Sequence, residues 1–370
     1  MFVTELYLKN FRNYREATVE APPGLILITG PNGAGKTNLL EALFFLALGR
    51  SFRTSRDRDL VRRGEDALAV RAEAGAPDGE RTFELEYDGG RKRVAVNGET
   101  FGRLIDYVGT LAVVSFSPGD LGLVKGDPSA RRRFLDVWLG QQSRDYLFTL
   151  QRYTAVLRSR NALLARGAPS AEVEPFDHEL VAAGAHLTGL RARGAATLGP
   201  AAAAAYRDLA PQEEAFDVSY EPGVPAEGDD EDVAAAYHEE LGRRRDDERR
   251  RGLTLVGPHR DDLALAVKGR DARRFASEGQ QRTAALSLRV AQYRLQARER
   301  GDDPPLLLLD DVGSELDSGR RERLGRVLAG AGQTWFTATT IPPWLKPDVT
   351  INISEGRIRG AETAPRPPAP

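Results

Sequence analysis

Cysteine is absent from the 370-residue chain. Its absence excludes a thiol nucleophile, a cysteine-based zinc site and disulfide bonds, and it is consistent with a reducing cytoplasm. No apolar run approaches the roughly 20 residues that a transmembrane helix needs, and the N-terminal segment lacks the basic and apolar pattern of a leader peptide. The sequence therefore predicts a cytoplasmic protein that has no membrane partner.

An excess of positive charge is also lacking, because 52 lysine and arginine residues are balanced by 54 aspartate and glutamate residues, for a net charge of −2. Any binding to nucleic acid would therefore depend on a local basic patch. Lysine itself is scarce, with only six in the chain. Arginine supplies most of the positive charge, and its guanidinium group suits the recognition of phosphate and carboxylate.

What the chain does contain is a glycine-rich turn between an apolar strand at 25–28 and a helix with a leucine-rich face. Such a turn brings backbone N–H groups together on a phosphate at the helix N-terminus. Lys36 is spaced to reach the β- and γ-phosphates, and Thr37 to ligate Mg²⁺. An ordinary glycine turn in an αβ unit is the alternative interpretation. The nucleotide-binding residues predicted here are Gly30, Pro31, Asn32, Gly33, Ala34, Gly35, Lys36, Thr37 and Asn38.

A second apolar strand, at 306–309, ends in two carboxylates, Asp310 and Asp311. The carboxyl ends of buried parallel strands are where open α/β sheets bind ligands. We expect Asp310 to hold Mg²⁺ beside Thr37, and Asp311 to act as a general base or to position the attacking water. The alternative for Asp311 is an acid that caps the following helix. The predicted catalytic residues are therefore Lys36, Asp310 and Asp311.

A second anion site is predicted at the head of a long helix at 279–299, where Ser277, Gly279 and Gln280 lie at the helix N-terminus.

Between the phosphate loop and the two aspartates, helical spacing dominates residues 129–209 and 231–251, and strand patterns return at 254–257 and 263–267. The predicted organisation is α/β, with mixed parallel and antiparallel sheets and an inserted helical arm. Its parts are 1–125 (head with the phosphate loop), 126–254 (helical arm), 255–360 (rest of the head) and 361–370 (disordered tail).

The segment from Ser277 to Arg282 resembles the signature motif of ABC-type ATPases, and Gly313–Asp317 resembles their D-loop. Taken with further motifs, the chain resembles the RecF family of DNA-repair ATPases over about residues 1–358. Besides the phosphate loop, those motifs are Leu8-x-Asn10-Phe11-Arg12-Asn13-Tyr14, Gly49-Arg50-Ser51-Phe52-Arg53, Phe116-Ser117-Pro118, Gly257-Pro258-His259-Arg260-Asp261-Asp262-Leu263 and Leu309-Asp310-Asp311-Val312.

The resemblance implies a site shared between two copies of the chain, in which Ser277 and Gly279 of one copy meet the γ-phosphate held by Lys36 of the other. It also implies ATP and Mg²⁺ as cofactors, a nucleotide contact by Arg12, and an ATP-dependent homodimer. The implied DNA targets are double-stranded DNA, junctions of single and double strands, and gaps. RecR and RecO are the implied partners, with RecA loading at gapped DNA as the outcome and the nucleoid as the location.

The chain departs from the general ABC pattern at three places. Asp311 stands where a glutamate is usual, and its side chain is one methylene shorter, which favours a slow switch over a motor. No glutamine follows the strand at 111–116, and Thr339-Thr340 stand where many relatives carry a histidine sensor. No histidine is therefore assigned to that role.

Two arginine clusters are candidates for contact with DNA phosphates, which bind cations with release of counterions. The residues assigned are Arg50, Arg53, Arg56, Arg131 and Arg132. Interleaved acids make a solvated, charged loop the alternative around 50–63. His259 is either a catalytic base or, preferably, part of a structural turn.

At the level of function, the alternatives are an SMC-like chromosome-organising head and the nucleotide-binding subunit of an ABC transporter.

Overall fold

The computed structural model describes residues 1–210, 214–224 and 228–363, and the chain divides into two compact units. The first comprises Met1–Asp120, Asp208–Gln212 and Arg289–Pro370, and the second comprises Leu121–Arg207 and Glu213–Leu288. The sequence-based division assigns residues 255–288 to the head, whereas they lie in the second unit, because a strand within them pairs with a strand of that unit.

A largely parallel sheet lies at the centre of the first unit. Its strands are β3 (Leu25–Thr29), β8 (Val113–Phe116), β12 (Leu306–Asp310), β13 (Thr334–Ala338), β14 (Val349–Ser354) and β15 (Arg357–Thr363), in the order β15-β14-β3-β13-β12-β8. All are parallel except β15, which runs antiparallel to β14. Every residue of β8, β12 and β13 is buried, as expected for central parallel strands with continuous apolar sequences.

An antiparallel sheet completes the strands of the first unit. Its strand order is β2-β1-β4-β5-β6-β7. Its strands are β1 (Phe2–Phe11), β2 (Tyr14–Glu20), β4 (Ala67–Ala76), β5 (Gly79–Asp88), β6 (Arg91–Val96) and β7 (Glu99–Phe101). The helices of the unit are α1 (Lys36–Leu48), α2 (Leu104–Tyr107) and α10 (Ser318–Leu328).

Helices dominate the second unit, as the sequence predicts for the inserted arm. They are α3 (Gly122–Lys125), α4 (Pro128–Gln142), α5 (Arg144–Ala165), α6 (Ser170–Leu209), α7 (Asp230–Arg251), α8 (Ala272–Phe275) and α9 (Glu278–Arg300), and α9 continues into the first unit. A small antiparallel sheet joins β9 (Phe216–Glu221), β10 (Asp262–Val267) and β11 (Arg270–Asp271) in the order β11-β10-β9. Within the described part of the chain, no helix is both long and apolar enough to span a membrane.

Two local predictions are wrong. Residues 254–257 form no strand, because side chains satisfy their backbone: Asn161 Oδ1 accepts from the Thr254 N–H at 2.7 Å, and Glu248 Oε1 accepts from the Leu255 N–H at 2.8 Å. The predicted disordered tail begins too early, because β15 pairs with β14 as far as Thr363. The remainder of that tail, 364–370, lies outside the described residues.

Candidate nucleotide site

The glycine-rich turn connects the buried strand β3 to helix α1, as predicted. The φ angles of Gly30, Gly33 and Gly35 are 149°, 79° and 116°, values that favour glycine. A Cβ at Gly35 would lie 2.7 Å from both Asn13 Nδ2 and the Tyr14 hydroxyl. The loop can therefore pass this close to the first hairpin only because residue 35 is a glycine.

The turn between β1 and β2 supports the loop through side chains. Asn13 Nδ2 donates to the Ala34 carbonyl at 3.0 Å, and the Tyr14 hydroxyl donates to the Gly35 carbonyl at 3.0 Å. Tyr14 is fully buried, and burial raises its pKa, so its phenol remains a proton donor. These contacts fix the loop in advance, as an anion-binding backbone requires. The support by Tyr14 is not evident from the sequence.

Lys36 is the first residue of α1 and is buried against the loop. Its ammonium group donates to the carbonyls of Gly30 and Pro31 at 2.7 and 3.1 Å. Burial lowers the pKa of Lys36, while the negative charges of Asp311 and Asp310 oppose this effect. The lysine is thus electrostatically coupled to the two carboxylates that follow the second apolar strand.

The two predicted halves of the phosphate chemistry meet in a direct hydrogen bond. The Thr37 hydroxyl donates to Asp310 Oδ1 at 2.8 Å, although 273 residues separate them in sequence. Asp310 is the last residue of β12 and is only 9% exposed. Burial raises its pKa, and hydrogen bonds from Thr337 and Thr37 act in the opposite direction. The structure therefore brings Lys36, Thr37 and Asp310 together in the first unit.

Thr37 and Asp310 present a hydroxyl and a carboxylate, the hard oxygen ligands that Mg²⁺ prefers. In the part of the chain that the structure describes, no group of three or more His, Cys, Asp and Glu residues is arranged to hold a metal ion. The pair therefore fits a magnesium ion that arrives with a nucleotide and takes its remaining ligands from phosphate and water.

Asp311 leaves the strand in a left-handed backbone conformation, with φ 49° and ψ 29°. It occupies the position before a short 3-10 turn, Val312–Glu315, but its side chain makes no capping hydrogen bond to that turn. The geometry thus does not support the interpretation of Asp311 as a helix-capping acid. A non-glycine residue held at positive φ beside a ligand site is a common mark of functional constraint.

A buried carboxylate, Glu41 on α1, organises two arginines beside the loop. Arg12 binds it with both Nε and Nη2, at 2.8 and 2.7 Å, and the Ser51 hydroxyl also donates to it. Arg53 Nη1 lies 3.3 Å from the same carboxylate and 2.9 Å from Asn38 Oδ1. Both arginines therefore contact the helix that begins at the phosphate loop. Glu41 was missed by sequence reasoning, although a lone acid within the apolar run at 39–48 was a signal for it.

The predicted signature residues lie at the start of α9, in the second unit. The Ser277 N–H donates to Gln280 Oε1 at 2.8 Å, and the Ser277 hydroxyl accepts from the Gln280 N–H at 3.3 Å. Gln280 Nε2 also donates to Glu214 at 2.9 Å. The Gln280 side chain is therefore engaged within its own unit, while Ser277 is exposed and Gly279 half-buried at the helix N-terminus.

Two of the arginines assigned to DNA make contacts within the second unit. Arg131 is 6% exposed and makes a bidentate ion pair with Asp262, at 2.6 and 2.8 Å. Arg132 donates to the Asp261 carbonyl at 2.7 Å. Assigning Arg131 to DNA is a mistake, because its guanidinium is buried and committed to Asp262. Of the first cluster, Arg53 and Arg56 are exposed and Arg50 is half-buried.

His259 is likewise structural. Its Nδ1 lies 2.7 Å from the Tyr153 hydroxyl and its Nε2 lies 3.0 Å from the Thr254 carbonyl. Burial lowers the pKa of His259 to about 4. The ring is therefore neutral at pH 7 and half-buried among the groups that hold this turn.

The fold and the site define an ABC-type ATPase head. The family model described as the RecF/RecN/SMC N-terminal domain matches residues 2–341. The chain is 45% identical to the DNA replication and repair protein RecF of Symbiobacterium thermophilum, over 92% of each chain. It is 39% identical to the protein of that name from Geobacillus thermodenitrificans, over 98% of this chain and 99% of the relative. The chain belongs to the RecF family.

One solved structure agrees with this assignment, and a second shares the fold. The structure of the recombination mediator protein RecF-ATP in the RecFOR pathway is 32% identical, covers 96% of this chain and 98% of its own, and superposes with a TM-score of 0.88. The Smc head domain from Pyrococcus furiosus matches over 98% of this chain and 96% of its own, with a TM-score of 0.58 and 16% identity. At that identity the likeness extends to the fold alone.

Proposed function

We propose that this protein binds ATP and Mg²⁺, dimerises with ATP bound, binds DNA and acts in recombinational repair, with slow ATP hydrolysis as a switch. The observation that carries the proposal is the hydrogen bond between Thr37 and Asp310. Thr37 directly follows a loop that is held by hydrogen bonds from Asn13 and Tyr14. That arrangement places a loop suited to phosphate next to a pair of oxygens suited to a metal ion.

Each residue of the site has a distinct task in this proposal. The backbone N–H groups of the loop, from Gly33 on, bind the phosphates at the positive end of α1, and Lys36 neutralises charge on the β- and γ-phosphates. Thr37 and Asp310 hold the magnesium ion, which neutralises charge that develops on the phosphates. Asp311 orients the attacking water and accepts its proton.

The proposed dimer is supported by the position of Ser277 and Gly279 at the exposed start of α9. A helix N-terminus with a serine hydroxyl is suited to binding an anion. In the proposed dimer, these two residues of one copy bind the γ-phosphate that Lys36 of the other copy holds. ATP therefore stabilises the dimer, and hydrolysis releases it. The shorter reach of Asp311 relative to glutamate supports slow turnover.

The biological setting is supported by the relatives. Several are named DNA replication and repair proteins, and one solved relative is named a recombination mediator protein in the RecFOR pathway. We therefore assign DNA at gaps or junctions as the bound substrate, RecR and RecO as partners, RecA loading as the outcome, and the cytoplasm as the location. For DNA contact we retain the loop arginines Arg50, Arg53 and Arg56.

The proposal is tested by binding of a gapped DNA duplex to the wild type and to Lys36→Met, with and without ATP and magnesium, over a series of salt concentrations. Lys36→Met removes the cation of the cradle, so we expect ATP to raise DNA affinity at least tenfold, about 1.4 kcal/mol, in the wild type only. The matched control is Lys9→Met, which removes an exposed lysine on β1. DNA affinity that ATP does not change in the wild type would overturn the proposal.

A further inference from the structure

One hydroxyl group on β13 connects the two acids that follow the strand β12. Thr337 is fully buried, and its Oγ1 donates to Asp310 Oδ1 at 2.8 Å. The same oxygen accepts from the backbone N–H of Asp311 at 2.9 Å. A single side chain thus contacts both acidic residues of the site, and neither the motifs nor the family resemblance assigns it a role.

The sheet places Thr337 at this point. Strands β12 and β13 are parallel, and their register sets Thr337 beside Asp310. The chain departs from the strand at Asp311, whose positive φ of 49° is unfavourable for a residue with a side chain. The hydrogen bond from the Asp311 N–H to Thr337 holds the backbone in that conformation, and so fixes the point from which the Asp311 carboxylate extends.

The same hydroxyl orients the other carboxylate. Asp310 Oδ1 accepts from both Thr37 and Thr337, at 2.8 Å each. Two donors on one oxygen restrict rotation of the carboxylate, and groups around a metal ligand commonly set its orientation in this way. Thr337 is therefore placed to control the ligand of the metal and the backbone of the residue that positions water, without touching either the metal or the water.

We propose that Thr337 is a positioning residue for ATP hydrolysis, acting through Asp310 and Asp311. The inference rests on the proposed ATPase function and adds a residue to it. Thr337 contacts the two acidic residues and does not lie on the phosphate loop. Its loss therefore lowers the rate of ATP hydrolysis and raises the magnesium concentration needed at the midpoint of the titration. The affinity for ATP without magnesium stays the same.

The test compares Thr337→Val with the wild type. Valine keeps the shape of threonine and deletes the hydroxyl, which leaves the Asp311 N–H without its partner. We measure kcat and KM for ATP. We also measure the binding of a fluorescent ATP analogue in EDTA and during titration with magnesium, a readout that does not depend on turnover. We expect kcat to fall at least tenfold and the magnesium midpoint to rise at least threefold, with unchanged binding in EDTA.

Two variants control for packing. Thr334→Val alters another buried threonine of β13, whose hydroxyl donates to the Gly332 carbonyl at 3.2 Å, and should behave as the wild type does. Thr337→Ser retains the hydroxyl and loses the methyl group, so it should keep most of the turnover that valine loses. If packing alone matters, Thr337→Ser will lose more turnover than Thr337→Val. That result overturns the inference even where one of the two variants folds poorly.

The possible failures can be told apart. A wild type that hydrolyses no ATP contradicts the proposed function itself. A wild type that hydrolyses ATP, with Thr337→Val equal to it in kcat and in the magnesium midpoint, contradicts only the role of Thr337. An equal loss in Thr334→Val and Thr337→Val also contradicts it, because the effect would then belong to the strand.

Discussion

Gly35 is the residue at which the phosphate loop and the first hairpin come closest. Its φ is 116°, and a Cβ at this position would lie 2.7 Å from Asn13 Nδ2 and from the Tyr14 hydroxyl, which leaves no room for a side chain. Gly35→Ala should therefore push the loop away from its support and lower ATP affinity at least tenfold, about 1.4 kcal/mol. Equilibrium binding of a fluorescent ATP analogue measures this.

Gly64→Ala is the matched control, because Gly64 also has a positive φ, 92°, but a Cβ there would meet nothing within 4 Å. Both variants carry backbone strain, and only Gly35→Ala adds the collision. Equal ATP affinity in the two variants would show that the contact with the hairpin does not position the loop.

At the same scale, motif spacing predicts the residues that we propose to act on phosphate, because their chemistry requires fixed intervals in sequence. It could not find Tyr14, Glu41 or Thr337, because each acts through a hydrogen bond to a residue far along the chain. It also misassigned Arg131, because an arginine in a basic run looks the same whether it is exposed or paired with a distant aspartate.

Among the elements, the segment that connects α7 to β10 shows how charge holds the second unit together. Asp261 is fully buried and accepts from Arg191 Nη1 at 2.7 Å and from the Gly223 N–H at 2.7 Å. Arg191, also buried, binds Asp136 at 2.8 Å. A conspicuous motif in the sequence, Gly257–Asp262, is therefore explained by the structure of its own unit.

The chain has four histidines, and two of them make the stability of this unit depend on pH in opposite directions. Burial lowers the pKa of His259 from 6.5 to about 4, so its contribution to stability, roughly 3 kcal/mol, is lost as pH falls from 6.5 towards 4. A hydrogen bond to Asp230, aided by Asp145, raises the pKa of His186. The contribution of His186 to stability is present below pH 6.5 and is lost as the pH rises through the raised pKa.

NMR titration of the histidine ring signals tests this prediction, with His186→Gln and His259→Gln used to assign two of the four resonances. At about pH 5.5 we expect the His259 ring to be neutral and the His186 ring to be charged. A His259 signal that titrates near 6.5 would contradict the buried structural role and would reopen the case for a catalytic base.

For the whole molecule, the sequence predicted an ABC-type head with mixed sheets and an inserted helical arm, and the fold confirms this. Long apolar strands and helices carry their own periodic signal, which is why they were found. The extent of the second unit was not predicted, because β10 joins it by pairing with β9 across a connection that includes α7. Pairing between distant strands leaves little trace in local patterns.

The central claim is that two copies of the chain enclose each nucleotide, with Lys36 from one copy and Ser277 from the other. Ser277→Arg places a bulky cation at the start of α9, so it should abolish ATP-dependent dimers while the monomer still binds ATP. Lys36→Met should abolish both. A mixture of the two variants regains one complete site, formed by Lys36 of the first and Ser277 of the second.

Sedimentation velocity with ATP and magnesium measures this directly. We predict dimers for the wild type, monomers for each variant alone, and dimers again at reduced affinity when the two variants are mixed. A wild type that remains monomeric with ATP at every concentration, or a mixture that never forms dimers while the wild type does, would contradict the shared site.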